Sequence, residues 1–322
     1  MPRAGVGGGL DAIYHVVSRV CGRAFLLSDV EKEAFRGLLG RVAGFCGLEV
    51  ITYALMENHF HLLIEVPGQV GDLSDEVLLA RARLLYGEER KGQPLSMARI
   101  EGALRAGGEV REAMRALLIG RMGALPMFMK ILKQRYSILF NRKYDRAGTL
   151  WEGRFRSVLV ENTRAAVRMV AAYIDLNPVR AGVVDDPKDY RFSGYGAAMG
   201  SGEWKTYGLW ARIRDQRSDS VVTVAARYRE FLFVSGSDPR KGGTVSPIKA
   251  AAVKERRGGV SIAEMLGCRL RYMTQGAVIG TQSFVDAFVR ARSEKGFVQR
   301  AKGAVQVGEC EGEACFAANG RM

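Results

Sequence analysis

Apolar and polar residues alternate in several short runs of the chain, and this period of two predicts β-strands. In the first run, Ile13, His15 and Val17 share one face of the predicted strand. Between the second and third runs stands Glu57-Asn58, a pair that is typical of a hairpin turn. The predicted strands are residues 12–19, 48–56, 59–66 and 155–160.

A period close to 3.6 residues predicts helices in the segments between these strands, and particular residues mark their ends. Ser28 is a candidate N-cap for a helix that runs to Phe45. Thr163 is a candidate N-cap for a helix that must end near Asn177, because Pro178 follows. Further helices are predicted in a charged insertion at residues 72–125 and at residues 127–141.

The order of these elements, with strands and helices mixed around a central hairpin, predicts an α+β fold. We expect a ferredoxin-like antiparallel sheet with helices on its faces, the helical insertion at residues 72–125, and a mainly helical C-terminal extension. The main domain is predicted to cover residues 1–202 and the extension residues 203–302. The tail at residues 303–322 is rich in Gly, Ala and Glu, which is typical of disorder.

Composition favours an anionic partner and argues against a membrane-spanning segment. Lys and Arg number 48 against 34 Asp and Glu, so the formal net charge is +14 (48 − 34). A hydrophobic share of 48% allows a packed core. The longest uncharged run, residues 272–285, is too short and too polar to cross a bilayer. The chain has five cysteines and no C-x-x-C pair, so we expect a cytoplasmic, nucleoid-associated protein with reduced thiols.

Two of the three histidines of the chain, His59 and His61, stand two positions apart on a predicted strand. Their imidazoles therefore project from the same face, while Phe60 faces the other side. Two imidazoles can bind a divalent cation and leave part of its coordination shell open to water or a phosphate. The alternative is a pair of structural histidines whose ring nitrogens bond to polar neighbours.

A second group of residues lies at the end of the helix that Thr163 begins. Tyr173 and Asn177 are four positions apart, so they share one helix face. A tyrosine oxygen can attack a phosphodiester if a cation offsets the charge that develops on the phosphate. An amide oxygen such as that of Asn177 can bind the same cation. The alternative is a tyrosine packed on the sheet, with Asn177 as the C-cap before a proline.

Four motifs that include these residues occur in a fixed order. They are Tyr14-His15-Val16, Met56 to Leu63 (MENHFHLL), Leu150 to Ser157 (LWEGRFRS) and Tyr173 to Gly182 (YIDLNPVRAG). Together they resemble the single-tyrosine HUH transposases, in particular the branch of REP-associated tyrosine transposases. The resemblance extends over about residues 10–200.

The resemblance implies a role for each matching residue. His59 and His61 would be ligands of Mg²⁺ or Mn²⁺, Asn177 the third ligand and Tyr173 the nucleophile. The implied reaction is cleavage and rejoining of single-stranded or hairpin DNA through a 5′-phosphotyrosine, and the family also implies a homodimer. His15 is interpreted as a structural histidine outside this site. The runner-up nucleophile, Tyr136, lacks a polar residue four positions later.

A basic and aromatic segment at residues 126–156 is the candidate DNA-binding surface. It holds eight basic and two acidic residues, and its aromatic side chains are expected to stack on unpaired bases. The alternative is that about half of these aromatic residues belong to the core. The predicted DNA-binding residues are Lys130, Lys133, Arg135, Arg142, Lys143, Arg154 and Arg156.

Two other classes of function stay open at the level of the sequence. A protein on the same scaffold could bind DNA without catalysis, as a regulator. It could instead bind RNA, because basic and aromatic residues do not distinguish the two nucleic acids. The extension at residues 203–302 is also basic, so an accessory DNA-binding role is predicted for it alongside that of a packed helical module.

Overall fold

The computed structural model describes most of the chain: residues 11–87, 95–201, 208–214, 219–236, 273–274, 276–294, 304–310 and 313–319. The chain divides into two compact units. The first unit comprises Met1–Ala12, Leu26–Val50 and Glu65–Glu152, and the second comprises Ile13–Phe25, Ile51–Ile64 and Gly153–Met322.

Helices make up most of the first unit. They are α1 (Asp29–Cys46), α2 (Asp75–Tyr86), α3 (Met97–Ala106), α4 (Gly108–Ile119) and α5 (Leu125–Lys143). Helices α2 to α4 form the insertion predicted at residues 72–125. Ser74 caps α2 by accepting a hydrogen bond from the Val77 backbone N–H, and α1 ends at Gly47, whose φ of 69° suits glycine. Ser28 precedes α1 as predicted, but its hydroxyl donates to Glu31 instead of accepting from the helix N-terminus.

One seven-stranded sheet runs through the second unit. Its strands are β1 (Ala12–Arg19), β2 (Glu49–Leu55), β3 (His59–Val66), β4 (Arg156–Val160), β5 (Gly276–Gly280), β6 (Val305–Cys310) and β7 (Glu313–Asn319). Their order is β2-β3-β1-β4-β5-β7-β6. Strand β1 is antiparallel to β4, with His15 opposite Val158, and only the β4–β5 pair is parallel among the registers described. The predicted α+β class with a mostly antiparallel sheet is therefore confirmed.

The helices of the second unit contribute most of its core. They are α6 (Arg164–Asp175), α7 (Asn177–Arg180), α8 (Gly194–Ser201), α9 (Leu209–Ile213), α10 (Val221–Gly236) and α11 (Gln282–Glu294). Helix α6 has buried side chains on every side, among them Val170 and Ile174. These pack in a cluster with Trp210 of α9 and with Tyr228 and Phe231 of α10. Burying helix α6 on all sides fixes the position of any functional residue that it carries.

The C-terminal region differs from the prediction. The tail expected to be disordered contains β6 and β7, which pair with each other and join the sheet through β5. Val307, Cys315 and Ala317 are buried there. The small side chains of the tail give it only a weak apolar pattern, but neighbouring strands supply the hydrogen-bond partners that stabilise it. The described part of the extension at residues 203–302 is mainly helical, as predicted, and adds the single strand β5 to the sheet.

The boundary expected near residue 202 does not divide the fold. Described residues on both sides of it, in α8 and α9, belong to the second unit. The linker predicted around residues 237–243 and the basic stretch at residues 249–257 lie outside the described residues. Among the described helices, none has both the length and the apolar character that a bilayer crossing requires.

Candidate active site

Strand β3 places His59 and His61 on one face, as its period of two predicts. The centroids of the two rings are 5.1 Å apart. His61 is buried and His59 is half-buried, while Phe60 points to the opposite face and is fully buried. The sheet therefore holds the two imidazoles side by side, on a strand that pairs with β2 on one side and β1 on the other.

Helix α6 brings Tyr173 against the same pair. Thr163 caps this helix by accepting from the Ala166 N–H, and the helix ends at Asp175, before the proline that cannot continue it. The ring centroid of Tyr173 lies 5.8 Å from that of His61. The nucleophile and the two ligands inferred from the sequence are thus assembled within one chain.

Asn177 begins the short helix α7, so it does not share one continuous helix with Tyr173. Its Nδ2 donates a 3.3 Å hydrogen bond to the backbone oxygen of Tyr173. Its side chain also bonds to His59 and to the Tyr173 phenol, raising the pKa of the first and lowering that of the second. Asn177 therefore stands between the candidate ligand and the candidate nucleophile.

Burial controls the charge of both histidines. It lowers the pKa of His59 to about 4, and the positive charge of Arg19 adds to this effect. Burial also lowers the pKa of His61 well below its usual value, with smaller contributions from His15 and His59. Both rings are therefore neutral near pH 7, which is the state that binds a metal ion.

Arg180 is a site residue that the prediction from the sequence omits. Its guanidinium carbon lies 4.9 Å from the centroid of the Tyr173 ring, and Nη1 donates to the Tyr173 backbone oxygen at 3.2 Å. Within the described part of the chain, its buried Nη2 has no hydrogen-bond partner. Burial raises the pKa of Tyr173, and the charge of Arg180 opposes that rise. Its place in the Pro178-Val179-Arg180 motif is the signal that could have found it.

His15, interpreted from the sequence as a structural histidine outside the site, contacts both His61 and Tyr173. Its Nε2 is 2.9 Å from Nδ1 of His61, and its ring centroid is 5.7 Å from that of Tyr173. On the other side of the ring, Nδ1 is 2.6 Å from the backbone oxygen of Met273. The ring is fully buried, and burial lowers its pKa to about 4. The sequence places His15 on a strand but does not reveal the strand order that sets β1 beside β3.

The donor set fits a divalent cation that keeps an open coordination shell. His59 Nδ1 is 2.6 Å from the side-chain oxygen of Asn58, so this ring offers Nε2 as a ligand atom. Together with His61 and the amide oxygen of Asn177, it gives two nitrogen donors and one oxygen donor for a divalent cation. No group of three or more His, Cys, Asp or Glu side chains in the described ranges is placed to hold a metal ion. Water or substrate oxygens would complete the shell.

The predicted DNA-binding residues differ in their surroundings. Lys133 lies 5.6 Å from the Trp151 ring centroid, Arg135 donates to the Leu85 backbone oxygen at 3.0 Å, and Lys143 forms an ion pair with the buried Glu31. These three cations are thus engaged in the packing of the first unit. The other members of the predicted set, Lys130, Arg142, Arg154 and Arg156, are exposed, and Lys143 is exposed as well despite its ion pair.

Most aromatic residues of the same segment belong to the core, so the expectation that they stack on bases is wrong for four of the six. Helix α5 turns Phe128, Tyr136 and Phe140 inward because they follow its period, and Trp151 is buried too. Tyr144 is 45% exposed and Phe155 is half-buried. The runner-up nucleophile Tyr136 donates its hydroxyl to the Glu31 backbone oxygen at 2.9 Å, and burial raises its pKa.

The described site is a strand with two histidines and a buried tyrosine on a neighbouring helix, in an α+β fold. Residues 10–75 match the sequence model of the family described as "Transposase IS200 like". This match agrees with the family resemblance seen in the sequence, and it covers the part of the chain that carries His15, His59 and His61. No curated protein matches the chain.

Two solved structures are similar to the chain at low sequence identity. One is a REP-associated tyrosine transposase bound to a REP hairpin, with 15% identity and a TM-score of 0.39, covering 63% of this chain and 86% of that one. The other is a candidate transposase from Deinococcus radiodurans R1, with 17% identity and a TM-score of 0.27, covering 52% of this chain and 93% of that one.

Proposed function

We propose that the chain is a metal-dependent transposase that cleaves and rejoins single-stranded DNA through a covalent 5′-phosphotyrosine at Tyr173. The observation that supports this proposal is the meeting of Tyr173 with His61 at 5.8 Å between ring centroids, in a site where Asn177 bonds to both Tyr173 and His59. A buried tyrosine beside two neutral imidazoles and an unpaired guanidinium nitrogen is poorly explained by packing alone.

In the proposed cleavage step, the Tyr173 oxygen attacks the scissile phosphorus and the bond to the 3′-oxygen breaks. The phenol loses its proton and the departing 3′-oxygen gains one, so the products are a 5′-phosphotyrosine and a 3′-hydroxyl. Arg180 and Asn177 favour the phenolate because they lower the pKa of Tyr173 against the effect of burial. The reverse attack by a 3′-hydroxyl rejoins the strand without an external energy source.

His59, His61 and Asn177 would hold the Mg²⁺ or Mn²⁺ ion of this reaction. When bound there, the ion supplies positive charge against the oxygens of the scissile phosphate. The Nη2 group of Arg180 is buried beside Tyr173 and can donate to the same phosphate, as guanidinium groups commonly do. The two sources of positive charge would orient the phosphodiester for attack from the tyrosine side.

The substrate we propose is hairpin DNA with a flanking single strand, as the sequence resemblance implies. The exposed basic side chains Lys130, Arg142, Arg154 and Arg156 would bind its phosphates, with Lys133, Arg135 and Lys143 in supporting positions. A homodimer is also implied by the resemblance. It is not needed to assemble the site, because one chain supplies Tyr173 and both histidines. We place this activity at the nucleoid, in the cytoplasm.

The test is the formation of a denaturation-resistant adduct with labelled hairpin DNA in the presence of Mn²⁺. We expect wild-type protein to form the adduct, Tyr173→Phe to lose it while retaining DNA binding, and EDTA to abolish it. Tyr136→Phe is the matched control, because this second buried tyrosine should leave adduct formation intact. An adduct that persists in Tyr173→Phe would contradict the assignment of Tyr173 as the nucleophile. Binding of DNA or RNA without any adduct would favour a non-catalytic regulator.

A further inference from the structure

A chain of two hydrogen bonds links the C-terminal extension to the candidate metal ligand His61. The backbone oxygen of Met273 lies 2.6 Å from Nδ1 of His15. On the far side of the same ring, Nε2 of His15 lies 2.9 Å from Nδ1 of His61. All three groups are buried, and His15 is 0% exposed. Both nitrogens of the His15 imidazole are therefore occupied by protein.

The chemistry of the groups fixes the direction of both hydrogen bonds. A backbone oxygen only accepts, so Nδ1 of His15 must carry a proton and donate it to Met273. His15 faces a carbonyl and another imidazole, and an imidazolium that is fully buried against neutral partners would be costly. The neutral ring has one N–H, so its Nε2 is an acceptor. It follows that Nδ1 of His61 donates to His15, and Nε2 of His61 carries a lone pair.

We propose that His15 is a positioning residue, which holds His61 in the Nδ1-protonated tautomer and so presents its Nε2 lone pair to the divalent cation. Partners of this kind, which bond to the ring nitrogen that does not bind the metal, fix the ring orientation and the ligand atom of a metal-binding histidine. Asn58 does the same for His59, because its side-chain oxygen accepts from Nδ1 at 2.6 Å and its Nδ2 donates to the Arg23 backbone oxygen. Both candidate ligands are thus prepared to bind through the same ring atom.

The C-terminal extension then has a role at the site. Met273 lies just before β5, and its carbonyl orients His15, which in turn orients His61. The chain of contacts joins residues that are 258 and 46 positions apart in the sequence. The sequence leaves two roles open for the extension, DNA binding and packing. The extension would then have a further role, the orientation of the metal ligand His61. That a divalent cation binds at His61 Nε2 rests on the proposed function. The orientation of the His61 ring does not depend on it.

The first test reads the tautomers in the metal-free protein. With histidine labelled by ¹⁵N, the three rings of the chain give a small set of nitrogen signals in a long-range proton–nitrogen correlation experiment. We expect His15 and His61 both to carry the proton on Nδ1. A His61 ring protonated on Nε2 in the wild-type protein would overturn the proposal, whatever the activity of the protein.

The second test compares two substitutions of His15. His15→Gln places an amide that can donate to Met273 and accept from His61, whereas His15→Leu can do neither. We expect His15→Leu to lose the single tautomer of His61 and to bind Mn²⁺, measured by electron paramagnetic resonance, about 10-fold to 100-fold more weakly. His15→Gln should retain most of the affinity. If folded His15→Leu has the same His61 tautomer and the same Mn²⁺ affinity as the wild-type protein, the proposal is overturned.

The two tests distinguish the role of His15 from the proposed function. Wild-type protein that binds no Mn²⁺ but keeps His61 protonated on Nδ1 would contradict the metal site and still support the role of His15. Circular dichroism of each variant shows whether it is folded. If His15→Leu fails to fold, two measurements still show whether His15 sets the tautomer of His61. They are the tautomers of the wild-type protein and the comparison of His15→Gln with the wild type.

Discussion

The Tyr228 hydroxyl donates a 2.7 Å hydrogen bond to Oδ2 of Asp175, a fully buried carboxylate two residues beyond the candidate nucleophile Tyr173. The other carboxylate oxygen, Oδ1, accepts from Thr52 Oγ1 at 2.8 Å. Thr52 lies on β2 and Tyr228 on α10. The end of α6, the helix that carries Tyr173, is therefore hydrogen-bonded both to the sheet and to the C-terminal extension. The position of Tyr173 thus depends on residues far from it in the sequence.

We expect Tyr228→Phe to destabilise the protein and to slow adduct formation. The substitution takes one hydroxyl donor from a buried carboxylate, a loss that costs about 1 to 3 kcal/mol of unfolding free energy. Urea unfolding followed by circular dichroism measures that cost. Thr52→Val removes the donor to the other oxygen and should act in the same direction. Unchanged stability in both variants would show that these bonds do not hold the tyrosine helix.

Arg180→Ala should shift the pH dependence of adduct formation. The phenol reacts as its phenolate, whose fraction rises with pH up to the pKa of Tyr173. Burial raises that pKa and the positive charge of Arg180 lowers it, so removing the charge raises it further and moves the rising limb of the pH–rate profile to higher pH. A rise of one unit lowers the rate at a fixed neutral pH about tenfold.

Arg180→Lys is the control for this experiment, because it keeps the positive charge and loses the planar guanidinium. We expect its pH–rate profile to lie between those of the wild type and Arg180→Ala. If all three profiles rise over the same pH range, Arg180 does not influence the ionisation of Tyr173 during the reaction.

Basic residues of helix α5 should differ in their contribution to DNA binding. Lys130 and Arg142 are exposed, whereas Lys143 pairs with Glu31, whose side chain is only 3% exposed. We expect Lys130→Ala and Arg142→Ala each to lower the salt dependence of single-stranded DNA affinity by about 0.7 in the slope of log K against log salt. Lys143→Ala should leave that slope unchanged and destabilise the protein instead. Fluorescence anisotropy at several salt concentrations measures the slopes. If Lys143→Ala lowers the slope by as much as Lys130→Ala does, the ion-paired and the exposed cations do not differ in DNA binding.

Local patterns are sufficient to predict the strands that carry the histidines. The sequence predicts strands at residues 12–19 and 59–66, and the structure has β1 and β3 at these bounds. The alternation of side chains and the hairpin turn are encoded over a few residues, so a single sequence reveals them. Thr163 is identified as the cap of the tyrosine helix for the same reason.

The long-range contacts that hold the site residues in place cannot be predicted from such local patterns. The contacts His15–His61, His15–Met273 and Tyr228–Asp175 depend on the order of the strands and on the path of the extension. No short pattern encodes these features. The aromatic residues of α5 show the same limit, because a basic and aromatic segment gives no indication of which face of the helix packs inward until its neighbours are known.

Hydrogen exchange can test the finding that the tail is part of the sheet. Strands β6 and β7 pair with each other, and β7 also pairs with β5, so its amides have partners on both sides. We expect peptides covering residues 313–319 to exchange slowly in deuterium oxide, and peptides of the edge strand at residues 305–310 to exchange somewhat faster. Immediate exchange throughout residues 305–319 would restore the expectation of disorder.

Glu31 should make the stability of the protein fall in acid. Burial raises the pKa of this carboxyl, but hydrogen bonds from Lys143, Ser28 and Tyr144 outweigh burial and hold the pKa at about 2. A carboxylate whose pKa is lower in the folded state adds stability above its unfolded pKa, about 4.3, and loses that contribution as the pH falls towards 2. We therefore expect Glu31→Gln to be less stable than the wild type at pH 7, with a difference that shrinks between about pH 5 and pH 2. Urea unfolding at a series of pH values measures both curves, and parallel curves would show that Glu31 ionises alike in the folded and unfolded chain.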